Sequence, residues 1–318
     1  MEYKFCGNSG LKLPTLSLGL WHNFGAIDDY GNSREMLLYA FEQGITHFDL
    51  ANNYGPPPGS AEETFGKVLK NDLSIHRDEM IISSKAGHLM WEGPYGDGGS
   101  RKYIMASINQ SLKRTGLEYF DIFYSHRYDS ETPVEETMMA LVDIVRQGKA
   151  LYIGLSKYPY EMAKKAFSIL NENKVPCLIY QDRYNMFVRN PEEEMFELVH
   201  KEGSGFIAFS PLAQGLLTNK YLNGIPKDSR AAKASGFLQQ DQVTAEAVEK
   251  SKLLNSLAQD RNQTLAEMAL AWVLHNPYIT SVILGTSSVK QLKDNIAALN
   301  NPDFSAQELQ LIDNILKK

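Results

Sequence analysis

The sequence has few cysteines, no long apolar run and no excess of basic residues. Cys6 and Cys177 are the only two cysteines among the 318 residues. Both lie among hydrophobic neighbours and neither belongs to a CxxC pair, which predicts reduced packing residues rather than a disulfide or metal ligands. The longest apolar runs, such as MALAWVL at 268–274, fall well short of the ~18 residues that a membrane span requires. No signal-like segment opens the chain, so we expect a cytoplasmic protein without membrane contact.

The charge balance argues against a nucleic-acid partner, and the spacing of the histidines argues against a metal site. The chain carries 32 Lys and Arg against 38 Asp and Glu, a formal net charge of −6. A nucleic-acid-binding protein would normally show a basic face, so we expect no nucleic-acid partner. The seven histidines show no metal-ligand spacing and no HExxH motif, so we expect no metal site.

Short β-branched and aromatic runs alternate with longer segments of helical period along the whole chain. Eight repeats of strand and helix predict a closed parallel (β/α)8 (TIM) barrel, with residues 1–318 forming a single domain. The alternative is an open doubly wound sheet, which needs a GxGxxG turn after an early strand. The glycine-rich stretch GPYGDGG at 93–99 lacks that spacing. The predicted strands are 15–20, 45–50, 79–85, 119–126, 150–156, 177–182, 205–210 and 280–285.

Helix ends and insertions refine this prediction. We expect the first helix to begin after Asn32-Ser33 and to stop at Gly44, a residue type that tolerates a left-handed C-cap. A hairpin at 3–14 is expected to cover the barrel floor. Long loops at 86–99 and 211–241 follow strands and are therefore expected at the C-terminal face, where barrel active sites form and where loops serve as lids.

Ionisable side chains follow successive predicted strands. Asp49 ends the second strand, Lys85 the third and His126 the fourth, while Tyr54 follows shortly after Asp49. Singly, each has an ordinary structural explanation as a helix cap, a solvent-directed lysine or a core histidine. Together they predict that all four side chains face one cavity. His47, two residues before Asp49, is expected to lie deeper as a hydrogen-bonded layer residue.

The combination suggests carbonyl chemistry. Lys85 would pair with Asp49 and place positive charge against the Tyr54 phenol, which predicts a lowered pKa for that tyrosine. A tyrosine with such a pKa is suited to act as a general acid. His126 would donate a hydrogen bond to a carbonyl oxygen and orient it. A site that protonates a forming alkoxide also needs a hydride donor.

The segments FDLANNYG (48–55), SSK (83–85) and YSH (124–126) resemble the tetrad signatures of the aldo-keto reductases. Members of that family are NADP(H)-dependent (β/α)8 barrels that reduce aldehydes and ketones without a metal. The resemblance extends from GLKLP at 10–14 to the C-terminal helix. It is strongest to the subgroup that contains bacterial glyceraldehyde 3-phosphate reductases and potassium-channel β-subunits. It implies that Tyr54 donates the proton, that Lys85 and Asp49 adjust the pKa of Tyr54, and that His126 orients the substrate carbonyl.

The same resemblance implies a cofactor site along the later strands. Trp21, Ser156 and Gln181 match positions at the nicotinamide end, and Phe209 matches an aromatic that stacks on the ring. One further group matches positions that cover the pyrophosphate and adenosine side: Ser210, Leu212, Gly215, Thr218, Lys220 and Arg230. A second group matches contacts to the 2′-phosphoribose and adenine: Ser287, Gln291 and Asn295.

The end of the last strand bears on cofactor choice. Gly285 is expected to open the eighth helix, whose N-terminal amides and dipole suit a phosphate. Related sequences place an arginine near this segment, whereas this chain reads SSVKQ at 287–291. Lys290 is the cation available there, which leaves the preference for NADP over NAD open. Helix capping is the alternative explanation for Ser287.

We expect the substrate to be a small aldehyde bound near Trp21, Tyr54, Trp91 and His126. The resemblance suggests L-glyceraldehyde 3-phosphate or methylglyoxal-like carbonyls. Arg101, Lys102 and Arg127 are expected near the mouth, where they would neutralise a phosphate. The alternative for these three is ordinary solvated charge.

Two other functions remain open on the sequence alone. A strand-end lysine such as Lys85 serves some barrels as a Schiff-base nucleophile, although Asp49 would hold it charged. The resemblance to channel β-subunits also allows a cofactor-sensing module with slow turnover. Relatives in this subgroup often form tetramers or larger rings, so a homo-oligomer is expected.

Overall fold

Eight parallel strands close into a barrel in the computed structural model, which describes residues 1–226, 241 and 243–317. Neighbouring strands follow chain order, and the last strand pairs with the first, which confirms the predicted (β/α)8 fold. An antiparallel hairpin of β1 (Tyr3–Phe5) and β2 (Lys12–Pro14) precedes the barrel. The barrel strands are β3 (Leu16–Gly19), β4 (His47–Asp49), β5 (Ile81–Ala86), β6 (Phe120–Ser125), β7 (Ala150–Ser156), β8 (Cys177–Arg183), β9 (Gly205–Phe209) and β10 (Ile279–Leu284).

The helices form the layer outside the strands. The first begins one turn earlier than predicted, because the Asp29 side chain accepts a hydrogen bond from the backbone N–H of Asn32 and caps the helix there. Gly44 follows its end with φ of 82°, as expected for a left-handed cap. The helices are α1 (Tyr30–Glu42), α2 (Ser60–Val68), α3 (Arg101–Thr115), α4 (Val134–Arg146), α5 (Tyr160–Glu172), α6 (Met195–Lys201), α7 (Ala245–Asp260), α8 (Leu265–His275), α9 (Val289–Ile296) and α10 (Ala306–Lys317).

The N-terminal hairpin covers the floor of the barrel, as predicted. The Cys6 thiol donates to the carbonyl of Leu178 near the start of β8, and Lys4 Nζ donates to the carbonyl of Ile279 at the start of β10. Leu13 packs with Cys6 against the inward side chains of the barrel strands. Both cysteines are buried and free, and burial raises the pKa of each thiol, that of Cys177 to about 12. They are therefore packing residues, as predicted.

A buried polar layer lies one step below the C-terminal ends of the strands. His47 Nδ1 lies 2.8 Å from Ser17 Oγ, and its Nε2 lies 3.0 Å from Ser83 Oγ. Burial lowers the pKa of His47 to about 4, so the ring is neutral. The histidine links β3, β4 and β5, which confirms its predicted structural role and fixes the positions of the residues above it.

The loops that follow β5 and β9 lie at the C-terminal end of the barrel, as expected. The loop after β5 folds back on itself, with a backbone hydrogen bond from Met90 to Gly96, and Gly99 donates to the Asp129 carboxylate. Of the predicted segment 211–241, the structure describes 211–226 and 241. Within the described ranges, no helix is long and apolar enough to cross a membrane.

Candidate active site

A buried ion pair occupies the C-terminal end of the barrel. Asp49 is the last residue of β4, and Lys85 lies on β5, which continues one residue further than predicted, to Ala86. Lys85 Nζ donates to Asp49 Oδ2 at 2.5 Å, to the carbonyl of Leu50 at 2.6 Å and to Tyr54 Oη at 3.4 Å. The parallel register of adjacent strands therefore brings three of the four predicted tetrad residues into direct contact.

The Asp49 carboxylate is held from two further sides. Ser83 Oγ donates to its Oδ1 at 2.7 Å, and Gln181 Nε2 approaches the same oxygen at 3.3 Å. Ser83 also contacts His47, so the polar layer below supports the carboxylate. A buried carboxylate with an ammonium and two neutral donors has its hydrogen-bonding capacity satisfied, which keeps its orientation fixed.

The structure corrects the expected pKa shift of Tyr54. The sequence predicted that Lys85 would lower the pKa of this phenol. Instead, burial and the negative charge of Asp49 raise it well above 10. The reason is that Asp49 lies closer to the ammonium than the phenol does, so the lysine charge is largely balanced while the desolvation cost of a phenolate remains. Tyr54 is therefore a protonated phenol in this structure.

The surroundings of Lys85 also bear on the Schiff-base alternative. The side chain is fully buried, and its three contacts use the three N–H donors of an ammonium. Burial lowers the pKa of Lys85 while Asp49 opposes the shift. A nucleophilic amine would need a free lone pair with access to a carbonyl carbon, and this packing provides neither. The geometry favours a charged lysine that acts on Tyr54.

His126 completes the predicted tetrad. It directly follows β6, and its ring lies edge-on to the Tyr54 ring, with the two centroids 5.8 Å apart. Burial, followed by the positive charge of Lys85, lowers the pKa of His126 well below 6.5, so the imidazole is neutral. Its Nδ1 is buried without a hydrogen-bond partner among the described residues. A neutral imidazole with unused capacity beside a phenol is suited to contact a substrate oxygen.

Two tryptophans stand on loops at this end of the barrel. Trp21 follows β3, and its ring centroid lies 6.4 Å from that of Tyr54. Trp91 belongs to the loop after β5 and packs against Tyr103 at 5.3 Å. Tyr103 Oη in turn donates to the carbonyl of His88. Trp21 thus lies beside the tetrad, whereas the contact described for Trp91 is with Tyr103.

The predicted nicotinamide contacts lie on adjacent strands. Ser156 ends β7 and is paired in register with Gln181 on β8, and Phe209 ends β9. Ser156 Oγ is buried without a hydrogen-bond partner among the described residues. An unpaired buried hydroxyl is costly in a folded protein unless a ligand uses it. The Arg183 guanidinium lies 5.9 Å from the Phe209 ring centroid, on the aromatic expected to stack on a nicotinamide.

The segment after β9 has an unusual backbone. Ser210, Ala213 and Gln214 adopt positive φ angles of 52°, 47° and 58°, and Gly215 follows at 106°. Residues of this kind turn successive peptide groups toward one side and form concave anion sites. Thr218 Oγ1 bonds to the carbonyl of Gly215 and accepts from the N–H of Lys220, whose side chain is exposed. Leu212 precedes the turn, and Arg230 lies outside the described residues.

The segment after β10 corrects one expectation and removes one alternative. Gly285 does not open the last repeat helix, because α9 begins at Val289 and Ser288 caps it by accepting from the N–H of Gln291. The cap is therefore Ser288 and not Ser287. Instead, Ser287 donates through both N–H and Oγ to Gln291 Oε1, each at 3.0 Å. Asn295 is buried, and its Nδ2 has no partner in the described part of the chain.

The cations expected at the mouth separate in the structure. Arg101 directs its guanidinium to Asp143 on α4 at 2.6 Å, in the outer helical layer, and Lys102 Nζ lies 5.2 Å from the Tyr95 ring centroid. Arg127 pairs with Asp97 at 2.9 Å and remains next to His126 in the chain. Arg101 therefore belongs to a surface ion pair with Asp143, and of the three cations Arg127 is the one placed next to a tetrad residue.

Sequence reasoning missed two polar residues beside His126. His88 packs edge-on against it with ring centroids 4.5 Å apart. Lys157, directly after Ser156, brings Nζ to 3.0 Å from His88 Nε2. The available signal was a lysine immediately after a predicted cofactor residue. Its significance depends on a loop that is distant in sequence, so the chain order gave no reason to connect the two.

Comparison with known proteins gives consistent results. The aldo/keto reductase family profile matches residues 15–317. The chain is 54% identical over 317 residues to the L-glyceraldehyde 3-phosphate reductases of Escherichia coli O157:H7 and strain K12, covering 98% of this chain and 92% of each relative. It is 36% identical over 306 residues to a probable voltage-gated potassium channel subunit beta of Oryza sativa subsp. japonica, covering 94% of this chain and 92% of the relative.

Proposed function

The chain belongs to the aldo/keto reductase family, and from this premise we propose that it reduces small aldehydes with NADPH, using Tyr54 as the general acid. The observation that carries the proposal is the contact of Lys85 with both Asp49 and Tyr54 in a buried site beside a neutral His126. A phenol held protonated next to a buried ammonium is able to give up its proton to a forming alkoxide.

The tetrad residues would divide the work as follows. Tyr54 Oη donates the proton to the carbonyl oxygen as negative charge develops there. Lys85, at 3.4 Å, stabilises the phenolate that remains, and Asp49 keeps the lysine charged and in place. A His126 N–H orients the carbonyl oxygen toward Tyr54, and the neutral ring has one such donor. The hydride for the carbonyl carbon would come from bound NADPH.

Observations along the later strands support a dinucleotide site. Ser156 Oγ and Asn295 Nδ2 are buried polar atoms without partners among the described residues, at the positions proposed for the carboxamide and adenine ends. Between them, the positive φ angles of Ser210, Ala213 and Gln214 shape a backbone suited to a pyrophosphate. Lys290, exposed in the first turn of α9, is the proposed partner of the 2′-phosphate.

The proposed substrates are L-glyceraldehyde 3-phosphate and other small carbonyls such as methylglyoxal. The 54% identity to reductases named for the first of these over 98% of the chain supports that choice. Two buried free thiols suit a reducing compartment, so we assign the protein to the cytoplasm. We further propose that it forms a homo-oligomer of four or more subunits, which sedimentation velocity would measure directly.

The decisive experiment compares Tyr54→Phe with the wild type in NADPH oxidation at 340 nm, with glyceraldehyde 3-phosphate and methylglyoxal as substrates. Loss of a general acid lowers kcat by about 10²- to 10⁴-fold. Tyr278→Phe serves as the matched control, because this exposed tyrosine directly precedes β10 and lies at the opposite end of the barrel. NADPH binding, followed by fluorescence, should persist in both variants. Equal rates for Tyr54→Phe and wild type would refute the assignment.

The potassium-channel relative supports a second candidate, a cofactor-sensing module whose chemistry is slow. The two functions differ in turnover and not in cofactor binding. Tight retention of NADPH together with turnover slower than about one per minute on every aldehyde tested, far below usual enzyme rates, would favour the module. Turnover in the usual range would favour the reductase.

A further inference from the structure

Lys157 contacts His88, which in turn packs against His126, the residue proposed to orient the substrate. It directly follows β7, and its Nζ donates to His88 Nε2 at 3.0 Å. The His88 ring packs edge-on against His126, with centroids 4.5 Å apart. The positive charge of Lys157 also contributes to the lowered pKa of His126. A path of three side chains thus leads from the carbonyl site beside Tyr54 to a partly buried ammonium.

The charge of Lys157 is not neutralised by a close carboxylate. Among the described residues, none of the ion pairs within 4.0 Å includes this lysine. The charged groups that act on it are Lys85, Arg127 and Arg183, which are positive, and Asp182, which is negative. Asp182 already accepts the N–H of Arg183 at 2.7 Å. Burial and the positive neighbours lower the pKa of Lys157 to about 8.

The backbone at Lys157 is also strained. Its φ angle is +54°, in the left-handed region that disfavours residues with a Cβ. Hydrogen bonds on both sides hold it there, from its own N–H to the carbonyl of Gln181 and from the N–H of Tyr158 to Tyr180 Oη. A partly buried cation, like-charged neighbours and a left-handed backbone all oppose folding, and such features cluster at functional sites.

We propose that Lys157 forms, with Arg127, the subsite for a phosphate group carried by the substrate. This inference rests on the proposed reductase function and replaces Arg101 and Lys102 as the expected phosphate contacts. In a triose phosphate, two carbons and an ester oxygen separate the carbonyl carbon from phosphorus. With its carbonyl oxygen beside Tyr54 and His126, such a molecule would direct its phosphate toward Lys157, because His88 contacts both His126 and Lys157. The phosphate supplies the close negative partner that Lys157 lacks.

His88 holds Lys157 in the receiving position. Burial and the charges of Lys157 and Arg127 lower the pKa of His88 to about 4, so the ring is neutral and its Nε2 accepts from the ammonium. Asp97 plays the corresponding part for Arg127, which it pairs with at 2.9 Å. Both cations are thus oriented by neighbours, and the Lys157 ammonium keeps N–H donors that no hydrogen bond among the described residues uses.

The test compares kcat/KM for glyceraldehyde 3-phosphate and for glyceraldehyde in Lys157→Met and Lys157→Arg. Removing a charge-assisted contact should lower the value for the phosphorylated aldehyde by about 30-fold and leave glyceraldehyde within about 3-fold. Lys157→Arg should restore most of the loss. Lys174→Met is the matched control, because this exposed lysine also has a left-handed backbone, at +60°, after α5.

Two further readouts separate a phosphate contact from a structural or cofactor role. Inhibition by glycerol 3-phosphate, which has no carbonyl, should weaken in Lys157→Met, while the NADPH dissociation constant stays unchanged. In the wild type, the ratio of kcat/KM for the phosphorylated to the unphosphorylated aldehyde should fall above pH ~8, as Lys157 loses its proton. Lys157→Arg should remove that fall.

Each contrary result has a distinct meaning. Equal losses on both aldehydes, or weaker NADPH binding in parallel, would overturn the phosphate subsite and leave the reductase function intact. A wild-type enzyme that reduces neither aldehyde would overturn the proposed function, and this inference with it.

Discussion

Lys85 Nζ lies 2.5 Å from Asp49 Oδ2, and the two side chains are only 0% and 2% exposed. Both charges are therefore removed from water, and each depends on the other for stability. An unpaired buried charge costs far more than an exposed ion pair contributes. This relationship makes the centre of the proposed catalytic site also one of the sites where substitution is most damaging to the fold.

The ion pair predicts strong coupling between two substitutions. Lys85→Met should lower the free energy of unfolding by about 3 kcal/mol, because it leaves the Asp49 carboxylate buried without a countercharge. The double variant Asp49→Asn with Lys85→Met should recover at least half of that loss. Urea unfolding of the single and double variants measures the coupling. Additive effects would show that the two groups are stabilised independently.

The unpartnered Ser156 hydroxyl predicts opposite effects on binding and stability. Ser156→Ala removes a buried polar atom without a partner, so the cofactor-free protein should be as stable as the wild type or slightly more stable. NADPH binding should weaken by about 10-fold, the usual effect of one lost hydrogen bond. Fluorescence titration and thermal unfolding provide the two readouts.

Ser84→Ala is the matched control for that experiment. Ser84 is equally buried, but its hydroxyl donates to Glu62 Oε1 at 2.6 Å. Its removal should cost about 1–3 kcal/mol of stability and leave NADPH binding unchanged, because it strips a buried carboxylate of a donor. If both alanine variants behaved alike, Ser156 would have no role specific to the cofactor.

The first turn of α9 predicts the basis of cofactor preference. Lys290→Met should lower kcat/KM with NADPH by about 5-fold or more and leave the value with NADH nearly unchanged, since only NADPH carries the 2′-phosphate. Lys293→Met, in the last turn of the same helix, controls for surface charge. Equal effects of the two substitutions, or equal effects on both cofactors, would remove Lys290 from the proposed site.

His47 predicts a specific dependence of stability on pH. Its pKa is about 4 in the folded protein and about 6.5 when unfolded, so only the unfolded chain binds a proton between these values. The stability it contributes is present above pH ~6.5 and is lost as the pH falls toward 4, by up to ~1.4 kcal/mol per pH unit. Urea unfolding from pH 7 to 4.5 should show a shallower decline for His47→Gln. Parallel curves would contradict this account.

The tetrad could be predicted from the sequence because its members follow a local pattern, the ends of apolar runs. Asp49, Lys85 and His126 each lie at or just after the end of an apolar run, and parallel strands bring such ends to one face. His47 was assigned to a deeper layer by the same alternation, and the structure confirms it. The start of α1 was placed a turn too late because Asn32 and Ser33 are typical N-cap residue types, and only the structure shows that Asp29 caps the helix.

By itself, the sequence determined the eightfold alternation of strand and helix, the hairpin at the barrel floor and the tetrad residues that meet at its C-terminal face. Only the tertiary structure decided the electrostatics of that face: the raised pKa of Tyr54, the diversion of Arg101 to Asp143 and the contact of Lys157 with His88. The physical reason is that periodicity is a local property, whereas desolvation and charge pairing depend on groups that are distant in the chain and adjacent only in the folded barrel.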